Sequence, residues 1–252
     1  MCTPCKSVDG QNELLLTQTS GGTHKSETTH ATGVPGLAKA IRDLHLDDVR
    51  AIELDYASAS LGAINDTLLQ RLYLAARGEA FTTASATADV RDHFRIYFPT
   101  DEIVKNSTGG PDCGGIISLT RQYYNAATFP RDCMRNYDST RPGMLSHNKL
   151  LFARGIKKSG EAFAWVYVGS ANLSESAWGG QKVLKSGQMG SLNIRNWECG
   201  VVMPVPEARV ADLKLGAGEM AAMDVFAGTV EVPFVHPGQR YGDQQPWFFR
   251  AG

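Results

Sequence analysis

The chain reads as an α/β protein with a layered α/β/α arrangement around a sheet, and three observations carry that reading. Short runs rich in β-branched and aromatic residues recur, at Ala51–Asp55, His93–Pro99 and Phe163–Val168. Stretches with apolar residues at helical spacing lie before and between them, through Leu37, Ile41 and Leu44 and again over 64–77. The last strand-like run ends in Gly169-Ser170-Ala171-Asn172 and gives way to a short helix-like segment, Leu173–Trp178. Alternation of this kind fixes the class but not the strand order.

Residues 1–32 are rich in Ser, Thr, Gly and His, with Leu14-Leu15-Leu16 as their apolar cluster. They read as a mobile or loosely attached arm, and the folded domain is expected over 33–252. Cys2 and Cys5 have metal-ligand spacing, but His24 and His30 follow too far on to complete a zinc site, so an unstructured terminus is the preferred account. Pro35 sits near a helix start. After the strand at 51–55 comes Tyr56-Ala57-Ser58-Ala59-Ser60-Leu61-Gly62, then a strong amphipathic helix from Ile64 to Arg77 with Asn65 and Asp66 as caps. In the strand at 93–99, Phe94, Ile96 and Phe98 share one face and Arg95 and Tyr97 the other. A helical stretch is expected over 116–129, an exposed turn or small insertion over 180–191, an alternating edge followed by a buried strand over Leu192–Val202, and a helix-rich excursion over 207–223.

Net charge is −1, so no global basic field advertises nucleic acid, and any such contact must come from a local patch. Arg131, Arg135 and Arg141 lie in the loop that leads to His147; guidance of a nucleic-acid backbone and simple solvation are both open there. Five scattered Cys suit reduced thiols better than a disulfide framework. No apolar run is long enough to cross a membrane.

The chemistry concentrates between Ser146 and Trp178. His147 and Lys149 share a side-chain parity, so on a strand they point to one face. A strand that ends in a small-residue turn and a helix start presents free N–H groups to an anion. An imidazole can attack phosphorus or move a proton near neutral pH. An ammonium and a carboxamide can hold the non-bridging oxygens as charge develops on them.

His147-Asn148-Lys149, followed by a strand and then Gly169-Ser170-Ala171-Asn172, resembles the half-site of the phospholipase D superfamily. Ordinary members carry an Asp five residues after the Lys, where this chain has Arg154. The tyrosyl-DNA phosphodiesterases lack that Asp. Their C-terminal half has Ser-Ala-Asn-Leu-Ser and Ala-Trp-Gly, matched here by 170–174 and by Ala177-Trp178-Gly179. Trp197-Glu198 before Gly200-Val201 matches the family's aromatic-Glu pair. Weaker matches fall at Ser60-Leu61-Gly62, at Gly114-Gly115 ahead of Ser118, and over 232–248, where Trp247 is expected to be a core or lid aromatic rather than a catalytic one.

The resemblance implies a phospholipase D-like sandwich with a mixed sheet, one half of a two-domain enzyme. That enzyme hydrolyses the 3′-phosphotyrosyl bond between DNA and a topoisomerase I-derived peptide, without metal or other cofactor, in the nucleus. It implies His147 as general acid and then general base, Lys149 and Asn172 as phosphate holders, and Glu198 as support for the imidazole of the other half. Ser60, Ser118, Ser170 and Ser174 become expected contacts to substrate DNA, with Ser58 a less certain one. The family uses two His-x-Lys units. This sequence has one, since His24 and Lys25 are adjacent. The chain is therefore expected to be a C-terminal half, a fragment or truncated product, with little turnover unless an N-terminal half is present. A homodimeric phospholipase D-like nuclease is the alternative enzyme; Arg154 argues against it, and a symmetric dimer would favour it. A non-catalytic DNA- or protein-binding domain is the alternative class; the intact set of His147, Lys149, Asn172 and Glu198 weighs against it.

Overall fold

Strand β7 (Lys149–Lys157) is central to the sheet and starts at the residue the sequence marks for chemistry. The computed structural model describes residues 5–6, 13–25, 31–81, 89–186, 189–215 and 221–249. In chain order the remaining strands are β1 (Cys5–Lys6), β2 (Glu13–Thr19), β3 (Gly22–His24), β4 (Val49–Ser58), β5 (Phe94–Phe98), β6 (Met134–Asn136), β8 (Ala162–Gly169), β9 (Gly180–Val183), β10 (Met189–Ile194) and β11 (Glu198–Pro204). The helices are α1 (Gly33–Asp43), α2 (Asp66–Ala76), α3 (Asp101–Lys105), α4 (Arg121–Asn125), α5 (Glu175–Trp178) and α6 (Glu207–Val210). The large sheet has the order β1-β2-β11-β8-β7-β4-β5-β6. It is mixed: β4, β5 and β6 run parallel, and β4–β7, β7–β8, β8–β11 and β11–β2 pair antiparallel. A second sheet, β3-β10-β9, stands beside it.

The central strands are buried on both faces, so they read as continuous apolar runs rather than alternating ones. One face of the sheet packs Tyr56, Leu151 and Tyr167 against α1, α2 and Trp178. Helix α1 buries Val34, Leu37, Ala38 and Ile41 at helical spacing, and α2 buries Leu68, Leu69, Leu72 and Ala75. Asn65 caps α2 by accepting from the Leu68 N–H at 3.0 Å. The other face carries Leu150, Phe152 and Val166 under Val205, Val210, Phe226 and Phe234, a layer made of α6, a 3-10 turn at 224–226 and irregular chain.

Several expectations change. The expected arm at 1–32 supplies β2, which pairs with β11 from Glu198↔Thr19 to Val202↔Leu15. Leu15, Thr17 and Thr19 point inward while Leu16 faces solvent. Threonine serves as the inward residue here, and that hid the alternation. The Thr32 hydroxyl donates to the Gln18 carbonyl at 3.1 Å and accepts from the Ser20 N–H at 3.0 Å, tying the start of α1 to β2. Gly33 follows at φ +61, where a Cβ would lie 2.4 Å from the Trp178 carbonyl oxygen. Cys2 and His30 lie outside the described residues.

The helix expected over 116–129 is a 3-10 turn at 110–116 and the single short helix α4. The segment 180–191 is β9 and the start of β10. Of the excursion at 207–223, the described residues form one turn of helix, α6, and then chain outside helix and strand over 211–215 and 221–223. Arg131, Arg135 and Arg141 are each engaged locally: Arg131 with the Ala126 carbonyl, a buried Arg135 with the Asp132 and Met134 carbonyls, and Arg141 with Glu231. Trp247 is buried and donates to the Gly114 carbonyl at 3.0 Å, a core role.

Candidate active site

The sheet brings three strand ends together. Ser58 at the end of β4 pairs with Lys149 at the start of β7, and β8 ends beside them at Gly169. The polar residues the sequence singles out therefore share one edge of the fold, because parity and register fix which end of each strand they occupy.

The turn after β8 is held from beneath. Tyr56 Oη donates to the Ala171 carbonyl at 2.7 Å and accepts from Trp178 Nε1 at 2.8 Å. Tyr167 Oη lies 3.3 Å from the Ala171 N–H, and Ser58 Oγ accepts from the Leu173 N–H at 3.1 Å. Tyr167 also lies against Gly169 and Gly200; a Cβ at either would come within 2.2 Å of its side chain. This packing fixes Asn172. Its Oδ1 accepts from the Ser60 N–H at 3.0 Å and stands 3.3 Å from Ser58 Oγ, so Nδ2 remains the donor end of the amide. Ser58, the less certain position in the sequence, is thus the hub that joins β4 to the turn.

Lys149 is buried along its length, and its Nζ donates to the His147 carbonyl at 2.6 Å. The same Nζ is 3.1 Å from both Nδ1 and Nε2 of His147. Equal distances to both nitrogens put the ammonium over the ring, not in line with either lone pair. The in-plane directions of the exposed imidazole are left for a substrate. Burial and then the neighbouring Lys149 hold the His147 pKa below its ordinary value. Burial lowers that of Lys149, and Glu198 acts in the opposite sense.

Glu198 opens β11 and is half-buried. Ser170 Oγ donates to its Oε2 at 2.6 Å and Asn196 Nδ2 to its Oε1 at 2.8 Å. The Ser170 hydroxyl also accepts from the Cys199 N–H at 3.0 Å. Ser170 is therefore engaged with Glu198 and β11, in a recess shared with the exposed Trp197 and separate from the groove that holds the other three serines. Ser60, Ser118, Ser174 and Asn172 line one polar groove of about 760 Å3. Ser60 and Ser118 sit on a bridge between their backbones, and Ser174 caps α5 by accepting from the Ala177 N–H at 3.2 Å. Among the described residues no group of three or more His, Cys, Asp or Glu is placed to hold a metal ion. No described helix is long and apolar enough to cross a membrane.

Arg154, where a phospholipase D motif would have Asp, lies on the opposite face of β7 from Lys149 and is fully buried. It pairs with the buried Asp55 and donates to the Ala221 carbonyl at 2.6 Å. Asp55 also accepts twice from Arg95, at 2.8 and 3.1 Å. Sequence reasoning missed this network. The available signal was a carboxylate in an apolar strand with no neighbour of opposite charge.

Known proteins place the fold. A yeast tyrosyl-DNA phosphodiesterase 1 structure, the SCAN1 mutant with a His-to-Arg change, superposes with a TM-score of 0.60 at 16% identity over 93% of this chain and 56% of that one. The same yeast enzyme with a His-to-Asn change gives 0.58 at 16% identity, with the same coverage. This chain thus spans little more than half the length of those structures. None of the curated proteins matches its sequence. The family model described as tyrosyl-DNA phosphodiesterase matches residues 9–242, nearly the whole chain. By that match the chain belongs to the tyrosyl-DNA phosphodiesterase family.

Proposed function

We propose that the chain supplies one half of a site that hydrolyses the 3′-phosphotyrosyl bond between DNA and a topoisomerase I-derived peptide. The observation that carries this reading is an ammonium 3.1 Å from both ring nitrogens of an exposed histidine, at the strand end that also positions Asn172. Lys149 and the Asn172 amide hold the non-bridging oxygens and stabilise charge as it grows on them. A histidine from an N-terminal half of the same enzyme attacks phosphorus, and the bond to the tyrosine oxygen breaks. His147 gives that oxygen its proton. The now neutral His147 takes a proton from water, whose oxygen attacks the phosphorus of the phosphohistidine; the P–N bond breaks, the first histidine leaves and a 3′-phosphate is released. A depressed pKa suits the second role at once. The bound phosphodiester anion raises it again for the first. Glu198, held by Ser170 and Asn196, is set to support the imidazole of the other half. Single-stranded or nicked DNA and a nuclear setting accompany this substrate.

The test is cleavage of a 3′-phosphotyrosyl oligonucleotide by this chain with and without a polypeptide carrying the N-terminal His-x-Lys half. Little turnover is expected alone, and restored turnover with the partner, reduced at least ~100-fold by His147→Ala. Full turnover by the isolated chain, or His147→Ala activity equal to wild type, sinks the reading.

A further inference from the structure

His147 stands just outside the sheet. The pairing of β7 begins at Lys149, so the exposed imidazole is carried by the end of the loop 137–148, whose residues 140–144 are exposed as well. An error of about 1 Å in placing a reacting group can cost on the order of a hundredfold in rate, so a loop in this position has to be held. Backbone bonds hold it further back. The Val235 N–H donates to the Asp138 carbonyl at 2.8 Å, and the Thr108 N–H donates to that of Gly143 at 2.9 Å. Beside the imidazole the tie is made by a side chain.

Asn148 Nδ2 donates to Tyr137 Oη at 2.9 Å, and the Asn148 N–H donates to Ser146 Oγ at 3.1 Å. Tyr137 is a firm post. It is 5% exposed, its ring lies 5.4 Å from that of Phe234, and Phe234 lies 5.8 Å from Phe152 on the central strand. The Pro233 carbonyl, 3.3 Å from Tyr137 Oη, can only accept. The hydroxyl hydrogen therefore points there, and the oxygen's lone pair faces the Asn148 amide. Between Ser58, Tyr137, Ser146 and Asn148 the loop closes over a cavity of about 10 Å3, which leaves it little room to settle inward. Lys149 Nζ meanwhile holds the His147 carbonyl at 2.6 Å. We infer that Asn148 is a positioning residue for the general acid: its bond to Tyr137 holds the loop end so that the His147 ring stays over the Lys149 ammonium and open to substrate. The inference rests on the phosphodiester reading above for what the imidazole does, not for where it is held.

Two measurements test it. Proton NMR titration of this chain reads the His147 ring directly, its signal being the one lost in His147→Gln, and the two-half cleavage assay reads its chemistry. Asn148→Leu keeps the branched shape and removes the donor; Tyr137→Phe removes only the oxygen that the donor meets. Each should let the ring drift from the ammonium, so His147 titrates at higher pH, nearer the ordinary imidazole value, as it should in Lys149→Ala. With the N-terminal half present, kcat should fall roughly tenfold or more while KM stays within about twofold. The double variant should be no worse than the more damaging single one, because both cut the same tie. If Asn148→Leu does not fold, Tyr137→Phe decides alone. An unchanged His147 titration in Tyr137→Phe overturns the assignment. So does a loss confined to KM, or the same loss from Arg141→Ala, which frees an exposed bond of this loop to Glu231. If the wild-type chain with its partner shows no 3′-phosphotyrosyl turnover while the titration moves as expected, Asn148 still positions His147 and the phosphodiester reading falls.

Discussion

Two of the three cations on strand β7, Lys149 and Arg154, meet opposite fates. Lys149 begins the strand on the helix-covered face and Arg154 follows on the other; both residues are buried by area. Arg154 is closed in. Its guanidinium meets Asp55 and the Ala221 carbonyl within a network that also holds Arg95 and Glu53. Lys149 is buried too, but its ammonium meets no carboxylate. It lies at the strand end, against the carbonyl and ring of an exposed histidine. Burial of the residue does not separate structure from function here. What separates them is whether the charged group ends against a buried carboxylate, as Arg154 does on Asp55, or at a strand end beside an exposed imidazole, and that follows from the strand face and end on which each cation sits.

The sharpest way to break the comparison is to remove a charge from the enclosed network. Asp55→Asn leaves Arg95 and Arg154 facing a neutral amide with no water to replace the lost charge. We expect a stability loss of about 3–5 kcal/mol in urea unfolding. Lys149→Ala, by contrast, should cost about 1 kcal/mol or less, since its ammonium makes no ion pair. Equal losses for the two variants would erase the distinction.

A smaller effect tests the same network by pH. His236 lies beside Arg154 and Arg95, and burial first, then those cations, pull its pKa down to about 4. Its Nε2 is buried without a hydrogen-bond partner. A base with a folded pKa below its unfolded value binds fewer protons folded than unfolded within the window between them. Stability therefore falls as pH drops from about 6.5 to about 4, by on the order of 2 kcal/mol after allowing for partial exposure. His236→Gln should remove that increment, so the wild type loses more than the variant over the same window. Parallel losses would show that His236 is not the group responsible.

The contrast also explains what could be read in advance. Asn65 as a cap and the apolar spacing of α2 are local, so the sequence states them directly, whereas His147 lies just before β7, off the strand on which parity would have set it beside Lys149. The turn at 169–172 is local too, and was legible. Arg154 was not: its partner Asp55 is 99 residues away in the chain, and only strand pairing brings the two together. Strand β2 was hidden by composition, because Thr17 and Thr19 fill inward positions where an apolar residue would have signalled a strand.

Ser170 gives the least effect and the finest discrimination. Motif resemblance makes it a contact to DNA, but its hydroxyl lies 2.6 Å from Glu198. A serine that touches substrate and one that orients a carboxylate lose the same atom in Ser170→Ala, yet they fail differently. Loss of a DNA contact raises KM and leaves kcat alone. Loss of the donor frees one oxygen of Glu198, which then supports the partner imidazole less well, so kcat in the two-half assay should fall about fivefold with KM unchanged. Stability should move by about 1 kcal/mol or less, because Glu198 keeps Asn196. A change confined to KM would return Ser170 to the substrate and leave Glu198 held by Asn196 alone.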